Sequence, residues 1–166
     1  MNKNLDNKIK QLNKDSIIDY HPLQEFLIKK KFQEADKLTQ DYLCQLAQNY
    51  GGAKQRKWLY FTDISLLPSK DLYIIDLIWR SYSNNRFGFS VQRKIWLASN
   101  SNWQILWEKI GWTNKGIMKR YPEEFMWHTN APQGHLPLFN QLRGKQTLSA
   151  LFEHIAWNQN FHKENE

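Results

Sequence analysis

Residues 32–48 read FQEADKLTQDYLCQLAQ and decide the fold class of this chain. Apolar side chains recur in this stretch at intervals of three and four residues, which is the period of an amphipathic α-helix. The polar pairs Asp36–Gln40 and Lys37–Asp41 are placed by the same period on the opposite, solvent-facing side. The apolar positions are Phe32, Ala35, Leu38, Tyr42, Leu43 and Leu46.

The segment before this helix predicts a helical hairpin. Pro22 stands where the first turn of a helix tolerates proline, ahead of LQEFLIKKK. A short lysine turn then leads into residues 32–48, as in two antiparallel helices joined by a tight connection. Residues 1–16 are polar and rich in Asn and Lys, and they predict a flexible tail.

Further helices are predicted after a Gly-Gly break at 51–52. We assign the N-caps of four helices to hydroxyl side chains, because Ser and Thr oxygens accept the free N–H groups of a first turn. Residues 58–68, WLYFTDISLLP, are apolar almost throughout and fit either a buried strand or an irregular loop. The turn signal at 114–116 predicts a small hairpin, and residues 129–137 predict a loop. The proposed caps are Ser69, Ser90, Ser101 and Thr147.

Composition indicates one globular domain with an anionic partner. The chain has 166 residues, a formal net charge of +7, eight tryptophans and one cysteine. This length suits a single core, and we assign residues 17–160 to one all-α domain followed by a polar end at 161–166. The excess of cations favours an anionic ligand, and tryptophan serves both cores and sites for flat aromatic ligands. A lone Cys44 cannot form an internal disulfide, as is usual in reducing compartments.

The sequence carries no recognisable catalytic apparatus. Its five histidines form no metal-binding motif, and nucleophile elbows, Walker loops and dinucleotide fingerprints are absent from the sequence. We interpret His128 and His135, which flank the predicted loop, as solvated side chains. Its carboxylates form no paired motif flanked by apolar residues, so we expect a binding protein that is not an enzyme and needs no metal or obligate cofactor.

Two segments together could form a cleft for a flat, apolar ligand with acidic groups. Leu59, Phe61 and Ile64 offer apolar contacts, and Asn140 and Arg143 offer polar donors. The alternative is that Phe61 and Ile64 belong to the core and that Arg143 is a solvated cation.

Five ordered segments resemble the genomes-uncoupled-four family of tetrapyrrole-binding magnesium-chelatase activators. The resemblance covers about residues 18–158 and identifies the chain as a plastid-encoded or cyanobacterial short form. The segments are QRKWLYFTDI (55–64), KDLYIIDLIW (70–79), SNNRFGFSVQRKIW (83–96), IGW (110–112) and APQGHLPLFNQLRG (131–144).

The resemblance implies a helical fold shaped like a cupped hand, in which two long loops, here 51–68 and 127–144, form the ligand cleft. Family members take up protoporphyrin, magnesium-protoporphyrin and, in some cases, bilins. Phe61 and Ile64 match apolar cleft positions, with Leu59 beside them, and Tyr121 matches a position on a mobile flap. Asn140 and Arg143 match polar positions near the propionates.

Three positions depart from the family pattern. Gln40, Gln146 and Ala150 stand where some members have Arg, Arg and Ser in or beside the site. The cleft is therefore expected to hold the acidic groups with fewer charges. Arg56, Lys57 or Lys145 could compensate.

The resemblance also implies the partner and the compartment. We expect stimulation of magnesium chelatase through its porphyrin-carrying large (H) subunit, in the chloroplast stroma or the cyanobacterial cytoplasm. A monomer with peripheral membrane association is expected, without nucleic-acid binding. The alternatives are a basic, aromatic-rich nucleic-acid-binding module and a helical module that docks proteins.

Overall fold

In a computed structural model, residues 3–52, 55–139 and 145–158 are described, and they form mostly helices with one small hairpin. Short 3₁₀ helices occur at Asn13–Asp15, Phe61–Leu66 and Ile155–Asn158, and β1 (Thr113–Asn114) pairs antiparallel with β2 (Ile117–Met118). The α-helices are α1 (Lys3–Leu12), α2 (His21–Ile28), α3 (Phe32–Asn49), α4 (Ser69–Ser81), α5 (Phe89–Ala98), α6 (Trp103–Lys109) and α7 (Lys145–Phe152).

Buried aromatic side chains join α3 to α4 in the core. Trp79 is fully buried, and its indole N–H donates to the Thr39 hydroxyl oxygen at 2.9 Å. Its ring stacks on Phe32 at 6.4 Å between centroids and meets Phe87 edge-on at 6.5 Å. The predicted hairpin of α2 and α3 is thereby fixed on α4, because Phe32 opens α3 and Trp79 lies near the end of α4.

The segment 83–96, one of the segments that carry the family resemblance, is joined by hydrogen bonds to the loop at 129–137. Gln92 donates from its side-chain nitrogen to the carbonyls of Gly134 and Pro137, at 3.0 and 2.7 Å. Arg86 donates to the carbonyl of Ala131 at 2.7 Å. Its own carbonyl accepts the Gly134 N–H at 2.8 Å. These bonds hold the predicted 129–137 loop on the segment 83–96.

The N-terminus departs from the predicted flexible tail. Residues 3–12 form α1, and Ile9 is only 3% exposed in the core. Asp6 accepts a hydrogen bond from the side chain of Gln24 at 3.1 Å, and the ammonium of Lys8 lies 5.9 Å from the centre of the Tyr73 ring. The prediction of a tail over residues 1–16 is therefore wrong for 3–12, because Leu5, Ile9 and Leu12 recur at helical spacing within a polar composition.

Two predicted serine caps are displaced by one residue. Ser69 is the first residue of α4, and the N-cap is Pro68, which makes no side-chain cap bond. Ser101 precedes the N-cap of α6, which is Asn102; the Asn102 side chain accepts the Ile105 N–H at 3.1 Å.

The other two predicted caps lie inside helices. The N-cap of α5 is Gly88, and Ser90 is the second residue of that helix. Thr147 lies within α7, whose described part begins at Lys145, and its residue is 4% exposed. The helices were predicted correctly, whereas their start signals were not.

The segment 58–68 is neither a strand nor an entirely irregular loop. Its centre forms a 3₁₀ helix over Phe61–Leu66, and it packs against α7. The small hairpin predicted from the turn signal at 114–116 is confirmed by the pairing of β1 with β2. In the described part of the chain, every helix is too short or too polar to cross a bilayer.

Candidate functional site

A groove of about 630 Å³ runs between the 3₁₀ helix Phe61–Leu66 and the C-terminal end of α7. Its walls are mainly apolar, with Glu153 as the carboxylate in the lining. The lining residues are Tyr50, Phe61, Ile64, Ser65, Leu66, Leu67, Pro68, Ser69, Ala150, Glu153, His154 and Ile155.

A second groove of about 300 Å³ adjoins the first. Phe61, Ala150 and Glu153 line both grooves, so the two form neighbouring parts of one surface depression. Beyond Phe61, the second groove is lined by Trp103, Lys145, Gln146 and Ser149. Gln146, Ser149 and Ala150 recur at helical spacing and present one face of α7 to the depression, and Glu153 follows directly after the helix.

Phe61 is the apolar residue best placed to meet a ligand. It is 53% exposed and lies where the two grooves meet, so the alternative that it belongs to the core is wrong. Ile64 and Leu59 are each 1% exposed. Both residues belong to the hydrophobic core, and Ile64 also forms part of the wall of the larger groove.

The polar residues predicted for the site fall in different places. Gln146 is exposed in the smaller groove. Gln40 is half-buried on α3, and its side-chain nitrogen lies 3.8 Å from the Cys44 sulfur. Asn140 and Arg143 lie outside the described residues, so their predicted contact with acidic groups stays a prediction.

Tyr121 lies in the segment after β2, next to Gln33 and Asp36 of α3 and away from the residues that line the two grooves. It is half-buried, and its ring meets the Trp127 ring edge-on at 5.9 Å. Burial raises the pKa of Tyr121, the nearby charge of Asp36 adds to this rise, and a hydrogen bond with the Gln33 side chain opposes it. The structure therefore brings Tyr121 to the same helix as Gln40, whereas Phe61 and Gln146 meet at the grooves.

An ion pair fixes the segment that carries Phe61. Arg56 donates to Asp63 at 2.9 Å, and the same carboxylate oxygen accepts the Tyr60 N–H at 2.7 Å. The Arg56 guanidinium also lies 4.0 Å from the centre of the Tyr60 ring. Because these bonds engage Arg56 within the protein, it is less suited than Lys145 to pair with a ligand, and the suggestion that Arg56 compensates for the missing arginines is weakened.

Gly52 makes the close packing of this segment feasible. A Cβ atom at this position would come within 2.6 Å of the Leu66 side chain and 2.7 Å of the Asp63 carboxylate. Such approaches lie far inside van der Waals contact, and a larger residue would push the 3₁₀ helix outward. The glycine pair was interpreted from the sequence only as a break between helices.

His135 was interpreted as a solvated loop histidine, and that interpretation is wrong. It is fully buried, its Nδ1 donates to the Ile110 carbonyl at 2.7 Å, and its Nε2 accepts the Met126 N–H at 2.9 Å. Accepting at one nitrogen requires the neutral imidazole, and burial lowers the pKa of His135 to about 4. His128 is exposed, as predicted.

Asp36 was placed on the solvent-facing side of α3, but it is 5% exposed. Its carboxyl oxygen accepts the Leu138 N–H at 2.7 Å, across 102 residues of sequence. Burial raises the pKa of Asp36 to about 8, while the hydrogen bond from Leu138 and the charge of Lys37 oppose this rise. The sequence signal was available: Asp36 falls in the same helical stripe as Phe32, Thr39 and Leu43.

Metal binding by side chains has no support in the described residues. Within residues 3–52, 55–139 and 145–158, no three His, Cys, Asp or Glu side chains come together as a metal site would require. His154, which lines the larger groove, uses both ring nitrogens, with Nε2 at 2.9 Å from the Leu67 carbonyl and Nδ1 accepting the Ala156 N–H at 3.0 Å.

The fold and this depression define a class of small, mostly helical domain with an apolar surface groove bordered by a few polar side chains. A family model described as GUN4-like matches residues 13–155, and the chain belongs to this family. This match confirms the resemblance seen in the sequence.

Solved and curated relatives agree with the family. The structure of GUN4 from Chlamydomonas reinhardtii is similar with a TM-score of 0.78 at 38% identity, covering 86% of this chain and 92% of that one. A Ycf53-like protein from Synechocystis sp. is 50% identical over 142 residues, which are 86% of this chain and 60% of that protein. The chloroplastic tetrapyrrole-binding protein of Arabidopsis thaliana is 34% identical over 144 residues, covering 81% of this chain and 54% of that protein. The chain thus spans somewhat more than half the length of the curated relatives it matches.

Proposed function

We propose that this protein binds a tetrapyrrole in the depression around Phe61. The observation that carries the proposal is the position of Phe61, a half-exposed aromatic side chain where two grooves meet on the surface of a GUN4-like domain. The name of the Arabidopsis relative, a tetrapyrrole-binding protein, supports the same ligand class.

The chemistry of the depression suits one face of a porphyrin. A macrocycle needs apolar contact over its face and donors for its acidic side chains, and Phe61, Lys145 and Gln146 offer both in adjoining grooves. Burial of about 300 Å² of ring contributes roughly 7 kcal/mol at 25 cal/mol per Å². Association costs several kcal/mol of this gain, so micromolar to submicromolar affinity is expected.

The ligand we propose is protoporphyrin or magnesium-protoporphyrin, with bilins as further candidates. Because both ring nitrogens of His154 are engaged within the protein, this histidine would not be available to the metal of a magnesium porphyrin. Asn140 and Arg143 remain the proposed partners of the propionates, together with Lys145.

The biological role we propose is non-catalytic. The protein would stimulate magnesium chelatase in chlorophyll biosynthesis by exchanging porphyrin with the large (H) subunit, as a monomer without an obligate cofactor. The chloroplast stroma or the cyanobacterial cytoplasm is the proposed compartment, with peripheral association with membranes. Matches to a cyanobacterial protein and a chloroplastic one support this placement.

Fluorescence titration tests the binding step. Trp103 lines the smaller groove, so a bound porphyrin should quench tryptophan emission saturably. A Trp103→Phe variant should bind equally well with a smaller change in emission. Unchanged emission of the native protein up to tens of micromolar porphyrin would exclude the proposal, and an affinity for RNA or DNA that falls steeply with salt would favour the nucleic-acid alternative.

Reconstituted chelatase tests the role. The native protein should raise the rate of magnesium insertion at low porphyrin concentration, whereas Phe61→Ala should do so only at higher concentrations. If the protein bound porphyrin but did not change the rate of the chelatase, the proposed ligand would stand and the proposed regulatory role would be rejected.

A further inference from the structure

Helix α7 carries opposite charges at the two ends of the face that borders the depression. Lys145 is the first described residue of α7 and lines the smaller groove, and Glu153 follows the helix and lines both grooves. The Glu153 N–H donates to the Ser149 carbonyl at 3.0 Å, so Glu153 continues the path of the helix. Because Lys145, Ser149 and Glu153 are four residues apart, they lie on one stripe, with the two charged residues about 12 Å apart along the helix axis.

These two charges add to the polarity of the helix itself. The free carbonyls at the end of a helix give that end a partial negative charge, so a cation is favoured there. Helix α7 instead ends beside Glu153 and carries its cation, Lys145, at the beginning of its described part. Both side chains are exposed, and neither forms a salt bridge within the described residues. The depression therefore has a positive end and a negative end.

The larger groove offers no cation to an acidic group. Among the described residues that line it, none is a lysine or an arginine, and Glu153 borders it. Two like charges about 4 Å apart in water repel enough to lower affinity about fivefold, so an acidic group placed beside Glu153 is disfavoured. An acidic group at Lys145 would lie about 12 Å from Glu153, which exceeds the screening length of about 8 Å at physiological salt. Repulsion by Glu153 thus depends on which end of the depression holds the acidic groups.

From this arrangement we propose that Glu153 determines which tetrapyrroles the depression accepts and how they are oriented. Its carboxylate disfavours ligands with acidic side chains on two opposite edges. It directs a ligand with one acidic edge so that this edge faces Lys145, and the apolar edge then lies in the larger groove beside Phe61. The inference rests on the proposed function for the place of binding, and it concerns selection among ligands of one class.

The experiment compares two porphyrins that differ in where their acidic side chains lie. Deuteroporphyrin carries both propionates on one edge, whereas coproporphyrin carries a propionate on every pyrrole ring. Both are titrated, by quenching of tryptophan emission, into the native protein and into Glu153→Gln, which removes the charge and keeps the shape. The native protein should bind deuteroporphyrin more tightly than coproporphyrin. Glu153→Gln should raise the affinity for coproporphyrin about fivefold and that for deuteroporphyrin less than about twofold.

Glu34→Gln is the matched control, because Glu34 is an exposed glutamate on α3 that lines neither groove. It makes the same change in net charge, so a general attraction of anionic porphyrins to the basic chain would affect both variants alike. The ratio of the two affinities should keep its native value in Glu34→Gln.

Two further measurements distinguish charge from shape. Glu153→Lys places a cation at both ends of the depression and should bind coproporphyrin more tightly than Glu153→Gln does. In about 1 M salt, where the screening length is about 3 Å, the ratio of affinities in Glu153→Gln should approach the native one.

The outcomes separate this inference from the proposed function. If the native protein binds deuteroporphyrin and Glu153→Gln keeps the native ratio of affinities, the role of Glu153 is overturned while the binding function stands. The same conclusion follows if the native protein binds coproporphyrin at least as tightly as deuteroporphyrin, if Glu34→Gln alters the ratio equally, or if the altered ratio persists in about 1 M salt. If neither porphyrin quenches the tryptophan emission of the native protein, the proposed function is rejected, and the selectivity of Glu153 with it.

Discussion

The carboxylate of Asp76 accepts two hydrogen bonds from Ser90, one from its backbone N–H at 2.8 Å and one from its hydroxyl at 2.7 Å. Asp76 is fully buried on α4 and also pairs with Arg80 at 2.8 Å. It thus serves α5 as an N-terminal cap supplied by another helix. Gly88 permits this approach, because a Cβ atom there would lie 2.7 Å from the same carboxylate.

Asp76→Ala is expected to lower the free energy of unfolding by about 3 kcal/mol, because it removes a buried acceptor from Ser90 and leaves Arg80 without its partner. Ser90→Ala removes only the hydroxyl bond and should cost about 1 kcal/mol. Urea unfolding monitored by circular dichroism measures both variants. Equal losses for the two would show that the backbone bond and the ion pair contribute nothing.

His135 should make the protein sensitive to acid. Its folded-state pKa of about 4 lies below the ordinary value of 6.5. Between these two pH values, His135 is therefore protonated in the unfolded chain and neutral in the folded protein. The contribution of His135 to the free energy of unfolding is therefore fully present above pH 6.5. It is lost as the pH drops towards 4, and the loss amounts to about 3 kcal/mol. Unfolding of His135→Gln, measured between pH 4 and 7, should show a shallower decline. The exposed His128 is the control, since His128→Gln should keep the native slope.

Phe61→Ala should weaken porphyrin binding about tenfold while changing stability little. The side chain is 53% exposed, so its loss removes ligand contact without opening a cavity in the core. Leu97, which is 46% exposed on α5 and lines neither groove, provides the control Leu97→Ala. Fluorescence titration and thermal unfolding of both variants separate affinity from folding. If Phe61→Ala and Leu97→Ala bound porphyrin with equal affinity, the macrocycle would have to bind elsewhere on the domain.

Apart from α1, local periodicity was sufficient to predict the helices but not what fixes their ends. Phe32, Leu43 and Trp79 lie in the core as the three-four spacing requires. The start of α5 was assigned to Ser90, yet its acceptor is Asp76, fourteen residues earlier and on another helix. Because the capping carboxylate comes from another helix, the residues at the start of α5 carry no sequence signal for it.

The polar interior could not be predicted for the same reason. Asp36 finds its partner 102 residues away and His135 finds one of its partners 25 residues away, so each looks like a surface residue in the sequence. For the site, the family resemblance matched Phe61 to an apolar cleft position; its side chain is 53% exposed, and its contact with a ligand stays a prediction. It could not show that Arg56 is engaged by Asp63, because that pairing depends on the 3₁₀ turn between them.

Ile9 tests the N-terminal helix, where the sequence interpretation failed. It is 3% exposed, so Ile9→Ala should lower the free energy of unfolding by about 2 kcal/mol, since it removes buried methyl groups from the contact of α1 with the core. Ile17 follows the 3₁₀ helix Asn13–Asp15, is 55% exposed and offers a matched control of the same residue type. Ile17→Ala should change the free energy by less than about 0.5 kcal/mol. If urea unfolding gave the same midpoint for both variants, α1 would contribute no stability, and residues 3–12 would behave as the flexible tail that their composition suggested.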